Sequence, residues 1–376
     1  MSGFGVFIFI FAVLLAIGIH EAGHFATAKW FKIKVDRFFI GFGPKLWSMK
    51  RGETEYGVSA FPIGGYVRIA GMNPLEEIPP EERSRTFKAK PAWQRAIVLA
   101  AGSVTHFLVA LIIIAAILAT AGEPDFDNPT LTIGAVGPCA GEDEAPSELA
   151  GLKAGDRVVS VAGESVTEWR QVQEAIRNRS PGQTIDIVVE RDGRQRSFNA
   201  TLGGCERDGR TIAFLGVSPE FATVERPVGS AIVTATARVG TGMWDSLVAF
   251  KNIFSPSTLG RLFKVAVGQE ERRPEDPATV VGIGKTSGDL ARQGDFVGLF
   301  LLVAGFNVFV GVANLLPLPP LDGGHLAVLG FEKLTRREVD MRKLIPITAM
   351  VLTVFGMLFL LLLYTDIVNP LPAIPG

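Results

Sequence analysis

The sequence predicts a polytopic α-helical membrane protein with about four transmembrane helices, a membrane-associated β-hairpin-like loop and an inserted α+β domain. Four apolar segments each reach the roughly 20 residues that a helix needs to cross a bilayer. Hydrophobic residues make up 48% of the chain, and its mean hydropathy is +0.31. Periodicity and composition predict four regions: a first transmembrane pair at 1–122, the inserted domain at 127–220, a linker with an interfacial amphipathic helix at 226–295, and a second transmembrane pair at 296–376.

The apolar segments cover residues 4–27, 96–122, 296–321 and 344–365. The first has no basic N-terminal region and passes into a polar motif instead of a cleavage site, so we interpret it as a span and not as a signal peptide. The third ends in a stretch with prolines at Pro317, Pro319 and Pro320. Because proline cannot continue a regular helix, we expect the backbone to break there.

Charge predicts the orientation of these spans. The 29–95 loop carries 13 Lys and Arg against 7 Asp and Glu, and five more bases follow the third span: Lys333, Arg336, Arg337, Arg342 and Lys343. By the positive-inside rule both loops are cytoplasmic, which places 123–295 and both termini outside the cytoplasm. The formal net charge of −1 indicates no nucleic-acid partner.

A polar motif, His20-Glu21-Ala22-Gly23-His24, lies at the end of the first apolar segment. Residues i and i+4 share one face of a helix, so His20 and His24 can bind one Zn²⁺, and Glu21 can act as general base toward an activated water. Polar groups at membrane depth are costly and indicate function. A helix with solvated His and Glu on one face is the alternative.

A third ligand is predicted at the break after the third span. Catalytic zinc sites usually have three protein ligands, and the chain has no CxxC or Cys/His cluster. Irregular backbone at membrane depth is tolerated where it is buried in protein or lines a wet cavity. Asp322 follows this break and is the expected third ligand. It could instead only end the helix.

Four motifs occur together in this chain: HEAGH at 20–24, GFGP at 41–44, FPIGGYV at 61–67 and NLLPLPPLDGG at 314–324. With them the sequence resembles the site-2 protease family of intramembrane metalloproteases. The likeness is greatest to the bacterial branch that cleaves membrane-anchored anti-sigma factors. The resemblance implies zinc on His20, His24 and Asp322, and Glu21 as catalytic base.

The same resemblance implies that Asn314 contacts the substrate or the developing oxyanion. The family often has a second asparagine five residues earlier, where this chain has Phe309, and Asn307 lies two residues before that. The role of Asn307 is therefore open. We expect His106 to be an interhelical histidine, although it could approach the metal or the substrate. We expect His325 to be structural or to support the site.

The segment 51–71 alternates like β-strands around a central Pro and Gly-Gly. The resemblance implies a re-entrant β element beside the active site, with Gly64, Gly65 and Tyr66 binding substrate. An exposed strand edge can pair with an extended peptide, and a helical substrate must unwind before water can attack it. A loop that only packs on the membrane core is the alternative.

Residues 127–220 resemble one PDZ domain in the circularly permuted bacterial arrangement, with a helix near 168–177 and strands at 184–191 and 195–202. The expected peptide-binding edge consists of Phe214, Leu215, Gly216 and Val217. A steric gate that binds no peptide is an equal alternative. Cys139 and Cys205 fall in this outward-facing region, where disulfides persist, so we expect a disulfide, with two free thiols as the alternative.

These observations predict an intramembrane zinc metalloendopeptidase in the bacterial inner membrane, surrounded by lipids. The resemblance implies single-span substrates, anti-sigma factors above all, that a site-1 protease shortens first in regulated intramembrane proteolysis. Two other classes stay open. A membrane metal transporter would need several midplane ligands and inverted repeats. An inactive PDZ scaffold would not need Glu21 together with three metal ligands.

Overall fold

A computed structural model describes residues 3–72, 76–139, 144–207, 210–273, 276–337 and 339–372. The chain divides into two compact units. The membrane unit comprises Met1–Ile117 and Pro227–Pro375, and the inserted unit comprises Leu118–Arg226. Helices and strands are numbered along the whole chain.

Eight helices of the described chain begin in the membrane unit: α1 (Gly3–Trp30), α2 (Ala92–Thr120), α5 (Val228–Ile253), α6 (Pro256–Ala266), α7 (Val280–Gln293), α8 (Phe296–Leu315), α9 (Asp322–Thr335) and α10 (Ile345–Val368). Short 3-10 turns cover Pro80–Arg85 and Met341–Leu344. The helical segments Gly3–Trp30, Ala92–Thr120, Phe296–Leu315 and Arg342–Val368 are long and apolar enough to cross a membrane. Each coincides with one predicted span.

The third span is shorter than predicted, because α8 ends at Leu315 and not at residue 321. The prolines that follow prevent the helix from continuing. The connection that follows the third span contains a helix that was not predicted, since Asp322 begins α9. Gly324 permits this arrangement: a Cβ there would lie 2.6 Å from the backbone nitrogen of Pro319, so only a glycine lets the loop fold back onto the start of the helix.

Strands β1 (Val35–Arg51) and β2 (Thr54–Ile69) pair with each other and are antiparallel. The sequence predicted hairpin-like strands within 51–71, whereas β2 alone covers that segment and its partner β1 precedes it. Their register is more elaborate than one hairpin. Each strand consists of two consecutive segments, called runs here: 35–42 and 45–51 in β1, and 54–61 and 64–69 in β2. Phe39 is therefore paired with both Gly57 and Tyr66. The runs lie in the order 45–51, 54–61, 35–42 and 64–69, so the last run forms an edge of the layer. Beneath this layer lies an apolar core formed by Ala28, Ile33, Val35, Ile69, Phe87, Val98, Leu99 and Leu329.

The inserted unit contains β3 (Glu123–Val136), α3 (Pro146–Leu149), β4 (Arg157–Val161), β5 (Glu164–Ser165), α4 (Trp169–Arg177), β6 (Thr184–Arg191), β7 (Arg194–Thr201), β8 (Gly203–Arg207), β9 (Arg210–Phe214) and β10 (Val217–Val224). The main sheet has the order β10-β3-β4-β6-β7, β5 pairs with β4, and β8 and β9 form a separate hairpin. The helix and both strands predicted between 168 and 202 are present. Cys139 and Cys205 form a disulfide, so the free-thiol alternative is wrong.

Candidate metal centre

Three predicted ligands converge in the membrane unit. His20 and His24 lie one turn apart on α1, and Asp322 is the first residue of α9. The Nε2 atoms of the two histidines are 3.2 Å apart. The Oδ2 atom of Asp322 lies 3.4 Å from Nε2 of His20 and 3.2 Å from Nε2 of His24. Residues from opposite ends of the sequence therefore place three potential ligand atoms in one nearly equilateral triangle.

The dimensions of this triangle fit zinc. Bonds of about 2.0–2.1 Å to a tetrahedral Zn²⁺ place ligand atoms about 3.3–3.4 Å apart. Oδ2 of Asp322 and Nδ1 of His20 are buried without a hydrogen-bond partner in the described part of the chain. A buried carboxylate oxygen without such a partner is costly unless a cation compensates it. Two imidazole nitrogens and one carboxylate oxygen are also a donor set that catalytic zinc uses.

The orientation of His24 is fixed from α2. Its Nδ1–H donates to the carbonyl oxygen of Val98 at 2.7 Å, which leaves the Nε2 lone pair directed at the other two ligands. Gly102 gives both rings their space, since a Cβ there would lie 2.5 Å from Nε2 of His24 and 2.7 Å from Nδ1 of His20. Sequence reasoning missed both residues. The run of small residues Ala101-Gly102-Ser103 could have indicated close helix packing at Gly102. The carbonyl of Val98 is part of the backbone, so no feature of the sequence indicates its role.

His106 and Asn307 form a buried pair beside this triangle. Nδ1 of His106 is 2.9 Å from Oδ1 of Asn307, whose amide donates to the carbonyl of Val303 at 2.9 Å. The His106 ring also lies 5.1 Å from the ring of His20. His106 is thus interhelical, as expected, and packs against a predicted ligand as well. Phe309 stacks on Phe250 instead, with ring centroids 5.0 Å apart.

Glu21 adjoins the edge run of β2. A Cβ on Gly65 would lie 2.8 Å from Cγ of Glu21. Tyr66 faces the β layer, where its ring stacks 5.5 Å from that of Phe39. The space left by the missing side chains is filled by the Phe42 ring at Gly64 and by Glu21 at Gly65.

Two further predicted residues lie outside the triangle of ligand atoms. Asn314 is the penultimate residue of α8, half-buried, and its side chain hydrogen-bonds to nothing within the described residues. Its amide is thus free to bind a ligand. His325, on α9, lines a narrow crevice with Leu99 and Leu329 and is not among the converging residues.

The predicted peptide-binding edge belongs to the inserted unit. The Leu215 side chain is buried in the core of that unit, and its carbonyl accepts the amide of Ser147. The Gly216 carbonyl accepts the amide of Gly137. Phe214 ends β9 and Val217 begins β10, the edge strand of the main sheet. The outer edge of β10 is therefore the part of this segment that can add a strand.

Comparisons with known proteins show the family to which this chain belongs. The model of Peptidase family M50 matches residues 8–371. Zinc metalloprotease Rip1 of Mycobacterium tuberculosis is 36% identical over 401 residues, covering 98% of each chain. The Rip1 of Mycolicibacterium smegmatis is 33% identical and covers 99% of each. A crystal structure of a PDZ domain from a Listeria monocytogenes SdrC-like protein is 16% identical in sequence and aligns with a TM-score of 0.20. The alignment covers 26% of this chain and 92% of that domain. The chain belongs to Peptidase family M50, the site-2 protease family, and is a zinc metalloprotease with several membrane-spanning helices.

Proposed function

We propose that this protein hydrolyses peptide bonds within the transmembrane segments of single-span membrane proteins, with His20, His24 and Asp322 as zinc ligands and Glu21 as catalytic base. One observation carries the proposal. The three ligand atoms lie 3.2–3.4 Å apart, next to a carboxylate that adjoins an open strand edge. Metal, base and a docking edge for an extended peptide are thus adjacent.

The residues divide the chemistry between them. Zinc bound at this site supplies Lewis-acid chemistry, polarising a carbonyl and making water more acidic. Glu21 accepts the proton of the attacking water at its carboxylate and later donates that proton to the leaving amine nitrogen. Val98 keeps His24 in one tautomer throughout, because its carbonyl holds the proton on Nδ1.

The edge run 64–69 presents the substrate. An extended peptide can add to this edge by main-chain hydrogen bonds. Addition there places the peptide beside Glu21, which the geometry of Gly65 supports. The free amide of Asn314 is the donor that we assign to the substrate carbonyl oxygen or to the developing oxyanion.

The substrates that we favour are anti-sigma-factor-like proteins of the bacterial inner membrane, already shortened outside by a site-1 protease. The basic loops support a metal site towards the cytoplasmic side. The Cys139–Cys205 disulfide supports an extracytoplasmic location for the inserted unit. We assign that unit as a PDZ domain that selects substrates, either as a size gate or by binding a newly exposed C-terminus at β10.

Zinc content and cleavage, measured together, test this function. Glu21→Gln keeps size and polarity but removes the base, so we expect about one zinc per chain and a loss of turnover of at least about 10²-fold. His20→Ala, His24→Ala and Asp322→Ala should each lose both zinc and cleavage. The substrate is a single-span membrane protein with a trimmed extracytoplasmic side.

His325→Ala is the matched control, since this histidine lies on the same helix as Asp322 but outside the triangle of ligand atoms. It should keep its zinc. Full zinc occupancy and activity in Asp322→Ala would remove Asp322 from the site, and near-normal cleavage by Glu21→Gln would refute the role of the base.

A further inference from the structure

A basic pocket of about 520 Å³ lies between the start of α2 and the end of α9. Five of its lining residues are bases and one is an acid, among the described residues: Lys88, Arg95, Lys333, Arg336, Arg337 and Glu332. None of these residues takes part in the proposed catalysis. A concave surface with this excess of positive charge attracts an anion with several acceptor oxygens.

The charges of this basic pocket are not neutralised within the described part of the protein. Only Arg95 faces a carboxylate there, with Nη1 3.6 Å from Oε2 of Glu332, which is longer than a hydrogen bond. Nε of Arg95 is buried and has no hydrogen-bond partner among the described residues. A buried donor left unpaired costs free energy. An external acceptor at this position would satisfy it.

Aromatic side chains place the basic pocket at the membrane boundary. Trp30 at the end of α1 is 76% exposed, and Trp93 at the start of α2 is 58% exposed. Phe31 packs between them, with ring centroids 5.6 Å from Trp30 and 5.4 Å from Trp93. Exposed tryptophans on membrane helices mark the level of the lipid headgroups. Arg95 lies two residues from Trp93, so the pocket opens at that level.

The base of the pocket lies against buried apolar residues. Phe87 precedes Lys88 in the chain, and Leu329 lies one turn before Lys333 on α9. Both belong to the buried apolar core of the membrane unit. The backbone that carries these bases is thus already ordered, which reduces the entropy that ligand binding would cost.

We propose that this basic pocket binds the phosphate of an anionic phospholipid. The guanidinium groups of Arg95, Arg336 and Arg337 offer paired donors that match phosphate geometry, and Lys88 and Lys333 add charge. Basic pockets between membrane helices bind such headgroups. The bound lipid connects α2, which orients His24 through Val98, with α9, which begins at Asp322.

The test measures binding of short-chain phosphatidylglycerol and phosphatidylcholine by calorimetry to the full-length protein in neutral detergent. Phosphatidylglycerol should bind at least about tenfold more tightly. Arg336→Gln combined with Arg337→Gln should weaken its binding by about 25-fold, at about fivefold for each base near an anionic headgroup. Should that double variant fail to fold, Lys88→Gln should weaken binding by about fivefold.

Arg342→Gln combined with Lys343→Gln is the matched control, because it removes the same charge from the same connection outside the pocket. It should bind phosphatidylglycerol within about twofold of the unchanged protein, since neither base lines the pocket. Equal losses in both double variants, or no preference for phosphatidylglycerol, would overturn the proposal. Competition by inorganic phosphate at equal concentration would reassign the pocket to free phosphate. Tighter binding of an acidic peptide would reassign it to a protein partner.

Discussion

Gly65 lies against Glu21. A Cβ at Gly65 would come within 2.8 Å of Cγ of Glu21 and within 3.1 Å of the carbonyl oxygen of Phe39. The β layer and α1 are therefore in direct contact at the proposed base, so a peptide added to this edge lies at a fixed distance from Glu21.

Gly65→Ala should slow cleavage without removing zinc. The new methyl group must push Glu21 or the strand away, because the Phe39 carbonyl blocks its other side. Since small misplacements of catalytic groups cost up to about 10²-fold, we expect kcat/KM to fall by roughly 10- to 100-fold. Gly330→Ala on α9 is the control, because a Cβ there meets nothing within 4 Å. Equal rates for the two variants would contradict this contact.

Gly102→Ala should weaken zinc binding itself. Its methyl group would occupy the space of the His20 and His24 rings, 2.5 Å from Nε2 of His24. Disturbing groups that orient metal ligands typically costs about 10- to 100-fold in affinity, and we expect a loss in that range. Competition with a chelator measures it. Gly305→Ala on α8, where a Cβ meets nothing within 4 Å, should bind zinc normally. An unchanged affinity in Gly102→Ala would show that α2 does not shape the site.

Hydropathy and motif spacing were enough to predict the four spans and the convergence of His20, His24 and Asp322. A long apolar run has few alternatives to a membrane helix, and ligands i and i+4 on a helix necessarily share a face. For the β layer, the sequence predicted the presence of β-strands but not their pairing. Its double register depends on how β1 and β2 each fold into two runs, which strand alternation does not specify.

Other features depend on tertiary contacts that the sequence cannot reveal. The carbonyl of Val98 acts through the backbone, so its side chain gives no hint. Asn307 pairs with His106 from a position 201 residues away. Helix α9 was missed because a Pro-rich run followed by two glycines reads as a loop, whereas the glycines allow tight packing at the start of a helix.

The inserted unit should lose stability as the pH falls. Burial acts to raise the pKa of Asp156, but hydrogen bonds from Arg191 and from the Lys153 amide outweigh it and hold that pKa below its usual value. A depressed folded-state pKa gives stability that is fully present above the unfolded-state value of about 3.9. That stability is lost as the pH falls through the folded-state value, because the unfolded chain binds the proton more readily.

Hydrogen exchange of β6 amides in the full-length protein measures this effect. Asp156→Asn should destabilise the inserted unit by about 1.5–3 kcal/mol near pH 7, the range for hydrogen bonds to a charged group, and should flatten the pH dependence. Glu190→Gln is the control, since Glu190 and its partner Arg157 are both exposed and 3.9 Å apart. A pH dependence that survives in Asp156→Asn would assign it to other groups.

Removal of the inserted unit separates catalysis from substrate selection. The three proposed ligands, Glu21 and the β layer all belong to the membrane unit. A variant that lacks 127–220, with the flanking segments rejoined, should therefore keep its zinc. Its measured zinc content is the control for correct folding of the site.

Cleavage of one substrate in intact and trimmed forms, by this deletion variant and by the full chain, then shows how selection works. If the inserted unit is a size gate, the deletion should admit the intact substrate with its bulky extracytoplasmic domain. If the outer edge of β10 instead captures a new C-terminus by strand addition, the deletion should slow cleavage of the trimmed form, because main-chain pairing that holds the substrate is lost. Identical rates on both forms, with zinc retained, would show that the inserted unit plays no part in selection.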